Sequence, residues 1–249
     1  LLIVATVTPD MQFPSTAAIM ADLLGATDAA AYDLAAGCTG FMYGIAQGFG
    51  MLSSGLSKRV LVVGADVLSK LMNMADRTTC VLFGDGAGAV VLEQVAEEGF
   101  LAFELGADGG GGMELHMPAG GSRMPTTAET VASGAHYVHM NGREVFKFAT
   151  RVLVSSAEEV LDQAGLTVDD VDVYVPHQAN VRIIDHAVAK LGIPKEKVIV
   201  NVDRYGNTSS ASIPVALTEA MAEHQLETGD HLAMVAFGAG LCWGAAVWE

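Results

Sequence analysis

Asp33-Leu34-Ala35-Ala36-Gly37-Cys38-Thr39-Gly40-Phe41 is the stretch whose reading decides the fold. The apolar run from Ala29 to Ala36 predicts a buried strand, and the small and apolar segment from Thr39 to Leu52 predicts a helix. Cys38 then stands at a strand-to-helix elbow, where free backbone N–H groups and the positive end of the helix favour a thiolate. Gly37 and Gly40 leave room for a substrate beside the sulfur. Taken alone, a single cysteine in such a run reads as a small buried apolar residue. The rest of the chain argues otherwise.

The flanks of this stretch alternate strands and helices. Leu1 to Thr6 is a β-branched run ending at Thr8-Pro9-Asp10, and a helix follows from Ser15 to Leu24 with Ser15 as its N-cap. Beyond the Cys38 helix, Lys58 to Asp66 predicts a second buried strand. Phe83-Gly84-Asp85-Gly86 predicts a glycine turn, read as a tight hairpin, leading into a strand to Glu93. Asp85 either caps a turn or binds across the two halves.

The same order of elements returns later. Val171 to Val175 predicts a strand ending at Pro176-His177, then come a helix from Val181 to Lys190 and a strand from Val198 to Val202. Tyr205-Gly206-Asn207 predicts a glycine turn opening a helix from Ser209 to Glu223, and Leu232 to Phe237 a further strand. Phe237-Gly238-Ala239-Gly240 echoes Phe83-Gly84-Asp85-Gly86, and Gly244 to Glu249 echoes Gly88 to Glu93. Between the repeats, Phe100 to Leu105 predicts a short strand, Gly109 to Gly112 and Ala119 to Ser122 a mobile loop, and Gly142 to Ala164 a long helix. The repeat divides the chain into an incomplete half, 1–99, that carries Cys38, and a second half, 100–249, that carries His177 and Asn207. The second half opens with a strand and helix that the first lacks, so internal symmetry predicts such a pair ahead of residue 1. The missing initiator Met and the start inside a strand suggest a fragment or cleaved chain.

Alternating strands and helices argue for α/β architecture with mostly parallel pairing. Ligands in such sheets bind beyond the carboxyl ends of the strands, and Cys38, His177 and Asn207 all fall there, with Cys38 and Asn207 at matching elbows. Composition narrows the partners. Half the 249 residues are hydrophobic, enough for a large core, and a net charge of −16 argues against nucleic acid and anionic membrane. Apolar runs break well before the length of a transmembrane helix, and no signal peptide is present. Three cysteines without metal spacing point to a reduced, cytoplasmic compartment. His136 and His139 read as surface or strand histidines, the twelve methionines as core filler, and Cys242 as packing.

A cysteine, a histidine and an asparagine together form a nucleophile set. Gly37-Cys38-Thr39-Gly40-Phe41, Val175-Pro176-His177-Gln178-Ala179-Asn180, Tyr205-Gly206-Asn207-Thr208-Ser209-Ser210 and Phe237-Gly238-Ala239-Gly240-Leu241-Cys242-Trp243-Gly244 resemble the β-ketoacyl-acyl-carrier-protein synthase III family. The resemblance runs the length of the chain. It implies the thiolase fold: two pseudo-repeated α/β halves with mixed sheets, layered α-β-α-β-α. It further implies that Cys38 accepts the acyl group, that His177 and Asn207 donate to the malonyl thioester carbonyl, and that the backbone N–H groups of Cys38 and Ala239 form the oxyanion hole. Arg182 is implicated in carrier or CoA-phosphate contact, and Asn180 and Phe146 are placed among the substrate- and carrier-binding residues. Arg143, Lys147 and Arg151, spaced for one helix face, suggest a basic docking stripe.

The implied reaction condenses an acyl-CoA starter with malonyl-acyl-carrier protein, initiating fatty-acid synthesis. Acyl-CoA and acyl-carrier protein are then the partners, the enzyme is a cytoplasmic homodimer, and no cofactor or metal is called for. Weighed beside it are a sister condensing enzyme of secondary metabolism, a Cys-His-Asn hydrolase whose usual cysteine motif is absent here, and a non-catalytic scaffold subunit.

Overall fold

The computed structural model describes residues 1–95, 99–223 and 225–249. In chain order the elements are β1 (Leu2–Ala5), α1 (Thr16–Leu23), β2 (Ala31–Leu34), α2 (Gly40–Ser53), β3 (Arg59–Val67) and β4 (Asp85–Glu93). There follow β5 (Phe100–Ala107), β6 (Leu115–His116), α3 (Ala128–Ala132), β7 (His139–Met140), α4 (Gly142–Ala164) and β8 (Val173–Pro176). The chain ends with α5 (Val181–Leu191), α6 (Val202–Tyr205), α7 (Ser212–Ala222), β9 (Leu232–Gly238) and β10 (Cys242–Trp248).

Two four-stranded mixed sheets carry the fold, one in the order β2-β1-β3-β4 and the other β5-β10-β9-β8. Strand periodicity sorts their side chains into layers. Leu2, Val4 and Val63 face α1, packing on Ala17 and Ala21. Ile3, Val60 and Val62 point the other way, into a core shared with Phe41 and Ile45 of α2, Ile213 and Leu217 of α7, and Val175 and Met234 of the second sheet. Val235 and Val247, on the opposite face of that sheet, meet α4 and α5 through Val152, Leu153, Ile184 and Val188. The layers therefore run α1, sheet, α2 with α7, sheet, α4 with α5. Each of these buried aliphatics contributes about 1.5–3 kcal/mol, so the central layer, buried on both sides, holds the halves together.

Local signals account for the helix ends. The Ser15 side chain accepts from Ala18 N and caps α1. Gly165 and Gly192 close α4 and α5 with φ of +71° and +76°, a conformation glycine adopts without penalty.

Several expectations fail, each for a tertiary reason. Gly86 and Gly88 lie inside β4, paired with Asp66 and Gly64, and residues 68–84 make the connection. Here glycine serves close approach: a Cβ on Gly84 would collide with Tyr205 O, and one on Gly88 would stand 2.8 Å from Pro214 Cβ. Residues 198–202 form no strand. Val198 makes one isolated bridge to Tyr174, while the backbone that follows is held by Gln178, which donates to Ile199 O (3.0 Å) and accepts from Asn201 N (2.9 Å) and Val202 N (3.2 Å). Gly109–Glu114 is a 3₁₀ turn, capped by Asp108 and packed on Leu241 and Gly240. The strand before Cys38 is short and half-buried, because β2 lies at the sheet edge. Asp85 accepts from Ser69 N and Oγ (2.8 and 2.6 Å), so its bonds stay within the first half. Met42, Met72 and Met234 are core residues, whereas Met11, Met74, Met113, Met117, Met124 and Met221 are exposed.

Candidate active site

The chain after β2 turns through a 3₁₀ turn, Gly37–Thr39, before α2 begins at Gly40. Gly37 has φ +54°, and a Cβ there would lie 2.9 Å from Ala239 N and O. Only glycine fits this close approach between the Cys38 turn and the β9–β10 hairpin. Cys38 thereby borders two adjoining cavities. One, of about 250 Å³, is lined by Phe146, His177, Asn180, Asn207 and Phe237 among others. The second, of about 190 Å³, is lined by Gly37, Ser209, Ala239, Leu71 and His116 among others. Two larger cavities run along β4 and include none of the predicted catalytic residues.

His177 follows β8, with its backbone N–H on Val235 O (2.8 Å) and its ring edge-on to Phe237 at 5.3 Å. It is 1% exposed, and neither ring nitrogen has a hydrogen-bond partner. An unpaired buried polar group is costly, so the ring's N–H is left to donate to a substrate oxygen. Burial pushes the imidazole pKa down to about 3, so the ring is neutral at pH 7.

Asn207 lies in the turn before α7. Its backbone N–H donates to Leu82 O (2.9 Å) and its carbonyl accepts from Gly84 N (2.8 Å), so the first half holds it in place. Its side-chain Oδ1 accepts from Ser209 N at 2.8 Å. That bond assigns the amide orientation and leaves Nδ2 as a donor.

The thiolate expected at Cys38 is not the resting form. Burial pushes the thiol up to about 12, the nearby Asp66 carboxylate adds to this, and the neighbouring Ser209 side chain only partly offsets it. Although part of Cys38 still faces the cavities, desolvation is the largest influence on its thiol. Thiol and imidazole are both neutral at rest.

The remaining sequence-derived residues divide. Phe146 and Asn180 line the cavity beside His177, and Asn180 Oδ1 also caps α5 by accepting from Arg182 N at 2.9 Å. Ala239 lines the second cavity. Arg143, Arg151 and Arg182 are exposed and line neither cavity; Lys147 pairs with Glu144 at 2.7 Å. His139 is exposed on β7 and stacks on His116 at 5.8 Å, while His136 is half-buried against Tyr137.

Sequence reading passed over four residues. Gln178 braces the segment after His177. Asp66 and Ser210 join the Asn207 turn to the first half, and Ser209 N donates to Asn207 Oδ1. A charged residue closing the otherwise apolar run from Val60 to Ala65 is the signal that marks Asp66.

Two family models match: 3-oxoacyl-[acyl-carrier-protein] synthase III over residues 32–109, and the C-terminal region of the same enzyme over residues 161–249. A β-ketoacyl-[acyl-carrier-protein] synthase III of Symbiobacterium thermophilum is 58% identical over 246 residues, spanning 98% of this chain and 74% of the relative. One from Desulfitobacterium hafniense is 56% identical across 99% of this chain and 75% of its own. The crystal structure of the Thermus thermophilus enzyme superposes with a TM-score of 0.91 at 50% identity, covering 99% of this chain and 76% of that one.

Proposed function

The chain belongs to the β-ketoacyl-[acyl-carrier-protein] synthase III family, and we propose that Cys38, His177 and Asn207 divide its chemistry between acylation and decarboxylation. The enzyme is a condensing acyltransferase of the thiolase fold. It joins the acyl group of an acyl-CoA to the two-carbon unit of malonyl-acyl-carrier protein and so initiates fatty-acid synthesis. Both matching family models describe condensing enzymes, so the hydrolase and scaffold readings are not carried further.

In the first step the Cys38 sulfur attacks the acyl-CoA carbonyl, the C–S bond to CoA breaks, and the thiol proton leaves on the CoA sulfur. His177 stays neutral, as its buried pKa requires. In the second step malonyl thioester loses CO₂, and the electron pair of the broken C–C bond moves into an enolate. An N–H of His177 and Nδ2 of Asn207 donate to the enolate oxygen. Two neutral donors in a shielded site stabilise charge as it develops, with little reorganisation. The enolate carbon attacks the acyl-Cys38 carbonyl, the backbone N–H groups of Cys38 and Ala239 hold the oxyanion, and collapse frees the sulfur to regain a proton.

The observation that supports this division most directly is the pair of partnerless nitrogens on buried His177, in the cavity that Cys38 and Asn207 share. Single-turnover kinetics test it. Replacing His177 or Asn207 with Ala is expected to slow decarboxylation by about 2.7–4 kcal/mol and to slow acylation less. Equal losses in both steps reject the division. We further propose a cytoplasmic homodimer with two thiolase-like halves, 1–99 and 100–249, that uses acyl-carrier protein and acyl-CoA without cofactor or metal. Among the described residues no helix is long and apolar enough to cross a membrane.

A further inference from the structure

The Asp66 carboxylate is 1% exposed, and among the described residues no cation pairs with it. A buried charge without a counter-ion must be satisfied by hydrogen bonds. Asp66 Oδ1 accepts from Thr6 Oγ1 (3.1 Å), Val7 N (2.8 Å) and Thr8 Oγ1 (3.0 Å), all in the segment leaving β1. Oδ2 accepts from Ser210 N (3.2 Å) and Ser210 Oγ (2.7 Å), which belong to the other half. Ser210 Oγ also lies 2.8 Å from Ala5 O. No neutral side chain of this size accepts so many bonds, since an amide offers one oxygen where a carboxylate offers two.

The bonds continue toward the chemistry. Ser210 sits against β3 so closely that a Cβ on Gly64 would collide with Ser210 O. The residue before it, Ser209, has φ +54°, the one non-glycine residue with positive φ among those described. Such a conformation is disfavoured for a residue with a Cβ and persists where its surroundings impose it. It aims Ser209 N at Asn207 Oδ1 (2.8 Å), which leaves Nδ2 free to donate.

We propose that Asp66 and Ser210 are positioning residues: by pinning the Ser209–Ser210 turn to β1 and β3, they hold the Asn207 amide in the orientation that decarboxylation needs. This rests on the role given to Asn207 above. The thread runs from Asp66 through Ser210 and Ser209 to the Asn207 side chain, and neither positioning residue touches substrate. Acylation at Cys38 does not require the Asn207 amide, so loosening the thread separates the two half-reactions.

Ser210→Ala and Asp66→Asn, each checked for a cooperative thermal transition, are compared with wild type in two assays. One is stoichiometric CoA release from acetyl-CoA, and the other is CO₂ release from malonyl-acyl-carrier protein. In Ser210→Ala, acylation is expected to stay within about threefold and decarboxylation kcat to fall about tenfold or more, with KM little changed, as for a misplaced catalytic group. Asp66→Asn is expected to show the same split more strongly. If it does not fold, Ser210→Ala carries the test alone. Unchanged decarboxylation in folded Ser210→Ala overturns the proposal, and so does an equal loss in both assays, which marks general damage. Asn207→Ala is run alongside. If it decarboxylates normally, the reading of the site falls; if it is impaired while Ser210→Ala is not, only the positioning proposal falls.

Discussion

The turns that precede α2 and α7 share a backbone but not a task. Both are single 3₁₀ turns, Gly37–Thr39 and Ser209–Ala211, and both begin with a residue at φ +54°. Aligned turn on turn, Cys38 stands where Ser210 does, not where Asn207 does as the repeat in the sequence implied. The Cys38 side chain faces two cavities, whereas Ser210 turns onto Asp66. The first turn needs glycine, because Ala239 occupies the space a Cβ would fill; the second holds Ser209, which lines a cavity beside Cys38. One turn geometry thus turns a cysteine toward the cavities in one half and anchors the halves in the other, and the surroundings decide which.

The sharpest break of this comparison is Cys38→Ser, which makes the two turns alike at their second residue. Condensation is expected to fall at least about a thousandfold, as when a nucleophile is removed, because a hydroxyl without an added base does not replace the thiol. Product formation within tenfold of wild type would sink the assignment.

Titration separates the two turns next. His177 has an ordinary pKa of 6.5 unfolded and about 3 folded. The stability from keeping it neutral is whole above about pH 6.5 and is lost as pH falls toward 3. The full effect is about 5 kcal/mol. Cys38 runs the other way: its folded pKa is raised from 9.0 to about 12. Its contribution is whole below pH 9 and is lost as pH rises toward 12. Melting temperature against pH should therefore fall on both sides. His177→Ala is expected to flatten the acid limb and Cys38→Ser the alkaline one, while Ser210→Ala changes neither slope.

A backbone pair sharpens the contrast further. Gly37→Ala puts a Cβ against Ala239 and is expected to cost about 1–3 kcal/mol from overpacking, read by denaturant unfolding, with slower acylation. Ser209→Gly, at the same φ in the other turn, is expected to stay within about 1 kcal/mol of wild type. Equal destabilisation by the two would show that the turns are not distinguished by their neighbours.

The smallest effect lies outside both turns. Reversing Arg182 and Arg151 to Glu is expected to raise KM for malonyl-acyl-carrier protein and to leave acylation by a CoA-free thioester unchanged. The change should shrink at high salt, since exposed charges are screened within about 8 Å near physiological ionic strength. Unaltered carrier kinetics at low salt would place docking elsewhere.

Much of this was legible along the chain. β-branched and continuous apolar runs with Gly or Pro punctuation located β1, β3, β8 and β9, Ser15 marked the start of α1, and α4 spans the residues its pattern required. Cys38, His177 and Asn207 stood out because each follows a strand or turn signal, and the family resemblance gave them their roles. The sequence by itself therefore determined the order of elements and which residues reach the strand ends, since dihedral preference and side-chain periodicity act over a few residues. Only the tertiary structure decided that the glycines of β4 seat the other half, that Gln178 replaces a strand at 198–202, that Cys38 rests as a thiol, and that Ser210 is its counterpart. Desolvation, close approach and the saturation of a buried carboxylate depend on groups distant in the chain. Asp66 and Ser210 stand 144 residues apart, and no local pattern registers that they meet.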